Sequence, residues 1–382
     1  MAVAVQENAT ARVSSLDTLR AFLVAWIIGG HALLGYSSIG GWAYDEVNEV
    51  TLSPQTERVL APLLGPSALF FMGTFFLVAG LFTPHSLARK GTGRFARDRL
   101  VRLGVPFLAT ILVLWPLFLW LTYLAAGREA TYWGMLTGRH RILDAGALWF
   151  TEVLLIFSLA YAAWRLLPRR GLARTAPRIS GAWLAWLAVV IALVTFAVRL
   201  WFPARSTQIG DLHVWQWPQL AAMFALGIAW ARHGLAERVP RRLWHESGAV
   251  ALLTIVAVPG IAGAMGVNSL AGDDTPFLGG WNIEAMLMAS AEAVLVVFGS
   301  IWLLGAAQRV FSHAGRFSRA LARSSFAAFI LQGPVLLGLA VALRPLGLPA
   351  EAKAAAVAVL GIVVCFALGW PAVTRTRLGR FM

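Results

Sequence analysis

Long apolar runs separated by short polar gaps recur along the whole chain. A helix that crosses a bilayer needs about 20 predominantly apolar residues. Runs of that kind fall at 18–36, 60–82, 103–125, 146–166, 181–201, 218–233, 247–267, 284–307, 321–343 and 353–372. The sixth is the shortest, and has to recruit Val214 to Trp217 or cross with little tilt. The pattern predicts an all-α polytopic integral membrane protein of about ten transmembrane helices.

Charge placement sets the expected direction of threading. Of the 32 Lys and Arg residues, most lie in alternate gaps: Arg89 to Arg102, Arg165 to Arg178, Arg232 to Arg242, Arg309 to Arg323, and the tail from Arg375. The opposite gaps carry the acids, among them Asp45, Glu46, Glu49, Glu57, Asp211, Asp273 and Asp274. Basic short loops are retained on the cytoplasmic side, so an even number of spans places both termini there. Residues 1–14 are expected as a disordered cytoplasmic tail, 15–375 as the membrane domain, and 376–382 as a basic cytoplasmic tail. The stretch Tyr36 to Pro62, amphipathic and aromatic, is expected to form a lid over the outer face.

Composition changes this picture little. Hydrophobic residues make up 59% of the chain and charged residues 13%, against roughly 25% charged in soluble domains. A net charge of +14 is compatible with a nucleic-acid binder, but the arginines are dispersed over connecting loops and form no folded basic module. They suit the anionic inner leaflet of a bacterial cytoplasmic membrane instead. The single Cys365 excludes a disulfide framework or a cysteine-rich metal site, and no metal centre is expected.

Chemistry has to be sought among the few polar groups inside the spans, where charge is costly. Arg20 and His31 lie eleven residues apart on the first span. That spacing is close to three turns, so both face the same way about 16 Å apart. Glu152, about 9 Å inside the fourth span, reaches a depth similar to His31 and is a candidate to hold its imidazole. Arg99 and Arg102 share a face at the start of the third span; with Arg20 they form a cationic rim suited to phosphate, although the inner-leaflet rule also accounts for them. Trp149, His213, Trp215 and Trp217 gather aromatic rings near the outer side. Glu292 lies midway along the eighth span, either binding a substrate group or serving as a structural hydrogen-bonding residue, and Gln332 is a weaker candidate in the ninth.

Several of these segments together resemble the acyltransferase-3 family of integral membrane O-acyltransferases. Leu16–Asp17–Thr18–Leu19–Arg20–Ala21, ending in Gly30–His31–Ala32, is similar to the family's Arg and His separated by ten residues. Leu69 to Gly80 resembles its second-span motif, with Ala79 where Ser is usual; Arg99, Arg102 and Pro106 match the third-span segment, and Leu148–Trp149–Phe150 with Leu154 and Leu155 the fourth. Ser324 to Pro334 resembles the late motif, but Gln332 stands where the family has His. The resemblance covers nearly the whole chain. It is to the stand-alone form, without a fused extracytoplasmic hydrolase-like domain.

The resemblance implies an enzyme that takes an acyl group from cytoplasmic acyl-CoA and gives it to a hydroxyl of a glycan, lipid-linked sugar or related envelope acceptor. It implies no permanently bound cofactor; its partners are membrane lipids, acyl-CoA and the acceptor, and no nucleic acid. The coenzyme A phosphates are expected near Arg20, Arg99 and Arg102, with His31 as general base aided by Glu152, or as an acyl-histidine. The acceptor is expected among Trp149, His213, Trp215 and Glu292. A multispan transporter or flippase built on the same buried groups is the alternative.

Overall fold

The computed structural model describes residues 2–138, 143–167, 180–206, 208–231, 238–264, 275–311, 315–376 and 379. They contain no strand. Ten long helices follow one another: α1 (Ala2–Leu34), α2 (Pro54–Lys90), α3 (Thr92–Ala125), α4 (Trp149–Trp164), α5 (Gly181–Arg199), α6 (Trp217–Trp230), α7 (Arg241–Ala264), α8 (Ile283–Val310), α9 (Arg316–Leu343) and α10 (Ala350–Arg375). Every expected span falls on one of them. Among the described residues nine helices are long and apolar enough to cross a membrane; the exception is α6, with 14 residues. The protein is an all-α polytopic membrane protein.

One boundary differs from expectation. The backbone of 2–14, expected as a disordered tail, is helical and continuous with α1; no Gly or Pro interrupts Ala2 to Ile28, so nothing stops the helix. The tail 376–382 lies mostly outside the described residues. α2 and α3 extend far beyond their apolar cores and meet at Gly91, whose φ of 75° turns the chain at little steric cost. That hinge brings the basic segment from Arg89 to Arg102 onto two helix ends.

Proline shapes α3. Pro106 has no N–H for the Arg102 carbonyl, and the preceding turn, Leu100–Gly104, widens to π geometry with Val105 N–H bonded to Leu100 O. A second π turn, Thr110–Leu114, precedes Pro116 in the same way. The carbonyl that Pro116 frees, on Leu112, accepts from the Tyr132 hydroxyl. Arg102 therefore sits on a widened turn, a feature found at many functional sites.

The helices pack mainly as α9 on α10, α2 on α6, α1 on α9 and α10, and α5 on α8. The α2–α6 crossing is backbone against backbone: a Cβ on Gly80 would strike the Phe224 carbonyl, and one on Gly227 the Leu77 carbonyl. The segment between α1 and α2 folds back over the bundle end, closed by Leu52 N–H bonding to Tyr36 O at 2.8 Å. Glu49 pins it to α10 and to the α9–α10 connection. It accepts from Lys353 Nζ at 2.6 Å and from the Tyr44 hydroxyl at 2.6 Å, while Arg344 Nη1 donates to Val47 O at 2.7 Å.

Burial raises the Glu49 pKa, but the bonds from Lys353 and Tyr44 outweigh it and hold the carboxyl below its ordinary value. A depressed carboxyl pKa stabilises above the unfolded value, and that contribution disappears as pH falls through the folded one. Glu49→Gln should therefore loosen residues 36–53 at neutral pH and flatten their acid dependence. A bond to a charged group is worth about 1.5–3 kcal/mol, so their amide hydrogen exchange should quicken roughly tenfold to hundredfold at pH 7.

Candidate active site

Arg20 sits on the first turns of the α1 span and bonds to Asp17 at 3.3 Å. Val24 is one turn further along the same face and His31 two turns beyond that, about 10 Å. A cavity of about 690 Å³ opens at the Arg20 end, bounded by α1, α2, α3, α4 and α9. Arg20, Arg89, Lys90, Arg99 and Arg102 line it against two carboxylates, Asp17 and Asp98. Asp98 is engaged by Lys90 Nζ at 2.7 Å and Arg102 Nε at 3.2 Å. The Arg99 guanidinium lies 5.1 Å from the Phe95 ring, and its Nε is buried without a partner among the described residues. The cavity thus keeps an excess of cations at its mouth. Its inner wall is apolar, with Phe75, Phe150, Leu154 and Phe329.

His31 lies past that inner wall. Its Nδ1 is 2.9 Å from Gln332 Oε1, and Gln332 Nε2 donates to Phe329 O at 3.1 Å. A carbonyl oxygen can only accept, so the amide nitrogen faces Phe329 and the amide oxygen faces His31. Nδ1 then carries the proton, and Nε2 keeps a free lone pair. The imidazole is stacked on Trp42 at 4.3 Å, 13° from parallel. Trp42 in turn touches Trp115 at 5.3 Å. Trp115 is seated against two glycines: a Cβ on Gly146 would come within 2.7 Å of its ring, and one on Gly333 within 3.0 Å. The strap from Tyr36 to Leu52 therefore covers the catalytic candidate as well as the bundle end.

Glu152 is not the partner of His31. Matching depth along two helices says nothing about the direction each side chain takes round its axis, and α4 turns Glu152 toward the segment between α5 and α6. A Cβ on Gly210 would be 3.6 Å from Glu152 Oε1. Asp211 is its electrostatic neighbour, and Glu152 Oε2 is buried without a partner among the described residues.

That segment holds a second polar cluster. His213 Nε2 lies 2.8 Å from Asp211 Oδ1. Trp149 stacks on the imidazole at 4.2 Å, and Trp215 lies 5.6 Å from it. Gly210, Asp211 and His213 all have positive φ, at 73°, 57° and 47°, a conformation tolerated by Gly, Asp and His better than by most residues. Arg199, at the end of α5, lies 5.1 Å from the Trp215 ring and bonds to Glu292 Oε2 of α8 at 2.5 Å. The four residues expected on the acceptor side, Trp149, His213, Trp215 and Glu292, are thus linked, with Arg199 as the connection to Glu292.

The profile of the acyltransferase-3 family, described as an acyltransferase domain, matches residues 13–374. The chain belongs to that family. Neither a curated protein nor a solved structure gives a significant match. Family membership makes the protein a membrane acyltransferase, and among the described residues the two clusters gather the candidate polar groups.

In this acyltransferase the structure brings Arg20, Arg99 and Arg102 together in one cavity and places His31 a short way beyond. Sequence reasoning did not single out Trp42, Trp115, Arg199 or Asp211 as site residues, and took Gln332 as a minor candidate. Gln332 had a signal available, lying where the family has His. Arg199 ends an apolar helix and resembles an interfacial anchor until its burial is known.

Proposed function

We propose that the protein is a membrane O-acyltransferase that takes a short acyl group from cytoplasmic acyl-CoA and passes it to a hydroxyl of an envelope glycan or lipid-linked sugar, in a bacterial inner membrane with both termini cytoplasmic. The observation that carries this reading is the cation-lined cavity whose apolar inner wall ends beneath a tautomer-fixed His31. The coenzyme A phosphates rest among Arg20, Arg99 and Arg102, joined by Arg89 and Lys90, where forked guanidinium donors suit phosphate oxygens. The uncharged pantetheine arm runs along Phe150 and Phe329 and brings the thioester toward His31.

His31 Nε2 takes the proton of the acceptor hydroxyl as its oxygen attacks the thioester carbonyl. The carbon–sulfur bond breaks, and the imidazolium returns that proton to the departing thiolate. Gln332 acts through His31, as a positioning residue. The acceptor lies on the side of Trp149, His213, Trp215 and Glu292.

Incubating purified protein with short acyl-CoA donors and envelope extract, then following free CoA and new esters by mass spectrometry, tests the reading. His31-dependent CoA release coupled to one ester supports it; no ester with any donor sinks it. Arg99→Gln should raise KM for acyl-CoA about tenfold or more, from loss of a charge-assisted bond of about 1.5–3 kcal/mol, with little change in kcat. Acyl-pantetheine, which lacks the nucleotide phosphates, should be indifferent to the substitution.

A further inference from the structure

We propose that the indole N–H of Trp115 is the oxyanion donor of the transfer step, bonding to the thioester carbonyl oxygen as negative charge develops on it beside His31. The inference rests on the reading of His31 as the base that serves acyl-CoA, and adds the group that stabilises the charge this base helps to create.

Buried polar groups in proteins are nearly always paired. Trp115 is 4% exposed, and its Nε1 is buried with no hydrogen-bond partner among the described residues. An indole N–H can only donate, so what completes it is an acceptor that arrives with a ligand. The polar atoms at His31 are already committed. Nδ1 gives its proton to Gln332 Oε1, the Gln332 amide nitrogen faces Phe329 O, and Nε2 has to accept.

Three contacts hold the indole. Trp42 stands between it and His31, with its ring centroid 4.3 Å from the imidazole and 5.3 Å from the indole. The others are Gly146, whose φ of 51° is fixed by its N–H donating to Asp144 Oδ1 at 2.8 Å, and Gly333, the neighbour of Gln332 in the chain. The indole atoms nearest both glycines all belong to the six-membered ring, so the pyrrole edge with its N–H lies outside this wedge.

Depth agrees with direction. Trp115 directly follows the second π turn of α3, and Arg102 lies on the first. Thirteen residues of helix separate the two, about 20 Å, against about 16 Å from Arg20 to His31. One helix thus supplies a cation at the phosphate end and a donor at the depth of the thioester.

The acceptor oxygen bonds to the carbonyl carbon, its proton passes to His31 Nε2, and the π pair of the carbonyl moves onto oxygen. The Trp115 N–H bonds to that oxygen. When the pair returns, the carbon–sulfur bond breaks and the thiolate takes the proton from the imidazolium. Removing one such preset donor costs about 10²- to 10³-fold in kcat.

Trp115→Phe removes the N–H and keeps an aromatic ring; replacing Trp115 with benzothienylalanine removes it and keeps the whole bicyclic shape. With acetyl-CoA and envelope extract, both should lower kcat about 10²- to 10³-fold and leave KM for acetyl-CoA and the unfolding midpoint unchanged. Acetonyl-CoA, a stable ketone analogue, supplies a readout without turnover. By isotope-edited infrared its bound carbonyl should absorb at lower frequency on the wild type than on either variant. Near-normal turnover by the benzothienylalanine form, or one carbonyl frequency on all three proteins, overturns the inference and leaves acyl transfer standing. A lowered frequency that depends on Trp115, without ester from the wild type and any donor, would uphold the carbonyl contact and sink the transferase chemistry.

Discussion

His31→Ala should abolish acyl transfer and leave a folded, membrane-inserted protein. A positioned general base is worth typically 10²- to 10⁴-fold; the one imidazole that lines the cavity itself, His85, lies one turn from Arg89 at the cationic mouth, away from His31. The fold tolerates the change because the ring's contacts are local: one bond to Gln332 and one stacking face on Trp42. Gln332 retains its own bond to Phe329 O. Donor affinity should survive, since the cations that hold phosphate lie near the far end of the cavity. The measurement is single-turnover transfer together with acyl-CoA binding by the same preparation. Loss of both would indicate collapse of the site, and unimpaired transfer would remove His31 from catalysis. Gln332→Ala should give a milder defect, because it frees the tautomer without removing the base; its pH–rate profile should shift, which a merely structural residue would not cause.

Arg199→Ala should be the most damaging single change to stability. The Arg199–Glu292 pair is buried to 1% and 4% side-chain exposure, at 2.5 Å. Removing one partner of such a pair leaves an uncompensated charge and costs about 3–5 kcal/mol. Replacing both with apolar residues of similar volume is often neutral, so Arg199→Met with Glu292→Met should recover most of the loss. Unfolding midpoints in detergent for both single variants and the double variant test this. A double variant no better than Arg199→Ala would show that the cost lies in packing. The double variant should still lose acceptor use, because Glu292, on the acceptor side, goes with it.

The fold was legible because a bilayer demands one kind of segment and punishes polar residues inside it. All ten expected spans coincide with helices, and the shortest of them is the helix that falls short of a crossing length. The grouping of Arg20, Arg99 and Arg102 around one cavity was legible for a related reason: Arg20 and His31 lie on one helix, where spacing alone fixes relative direction, and Arg99 and Arg102 are close neighbours on another. Pairings between helices were not legible. Glu152 and His31 match in depth, but only packing of α9 against α1 decides that Gln332 is the residue at Nδ1. The strap was foreseeable as an aromatic loop, whereas its attachment through Glu49 to Lys353 joins residues some 300 positions apart, beyond any local pattern.

The brevity of α6 has a consequence for the surrounding lipid. Fourteen residues rise about 21 Å, against a hydrocarbon core of about 30 Å. Ala221, Ala225 and Ala229 turn outward from the bundle along its length, so lipid tails meet this short wall directly. A bilayer can accommodate a short wall by thinning beside it, at a fraction of a kcal/mol per Å. Thinning there would draw headgroups and water toward the polar residues at the start of α6, and would leave a substrate arriving from the membrane surface less hydrocarbon to cross. Chain length of the host lipid should then act as a throttle: reconstitution in progressively thicker bilayers should slow turnover with a large hydrophilic acceptor more than hydrolysis of the donor alone.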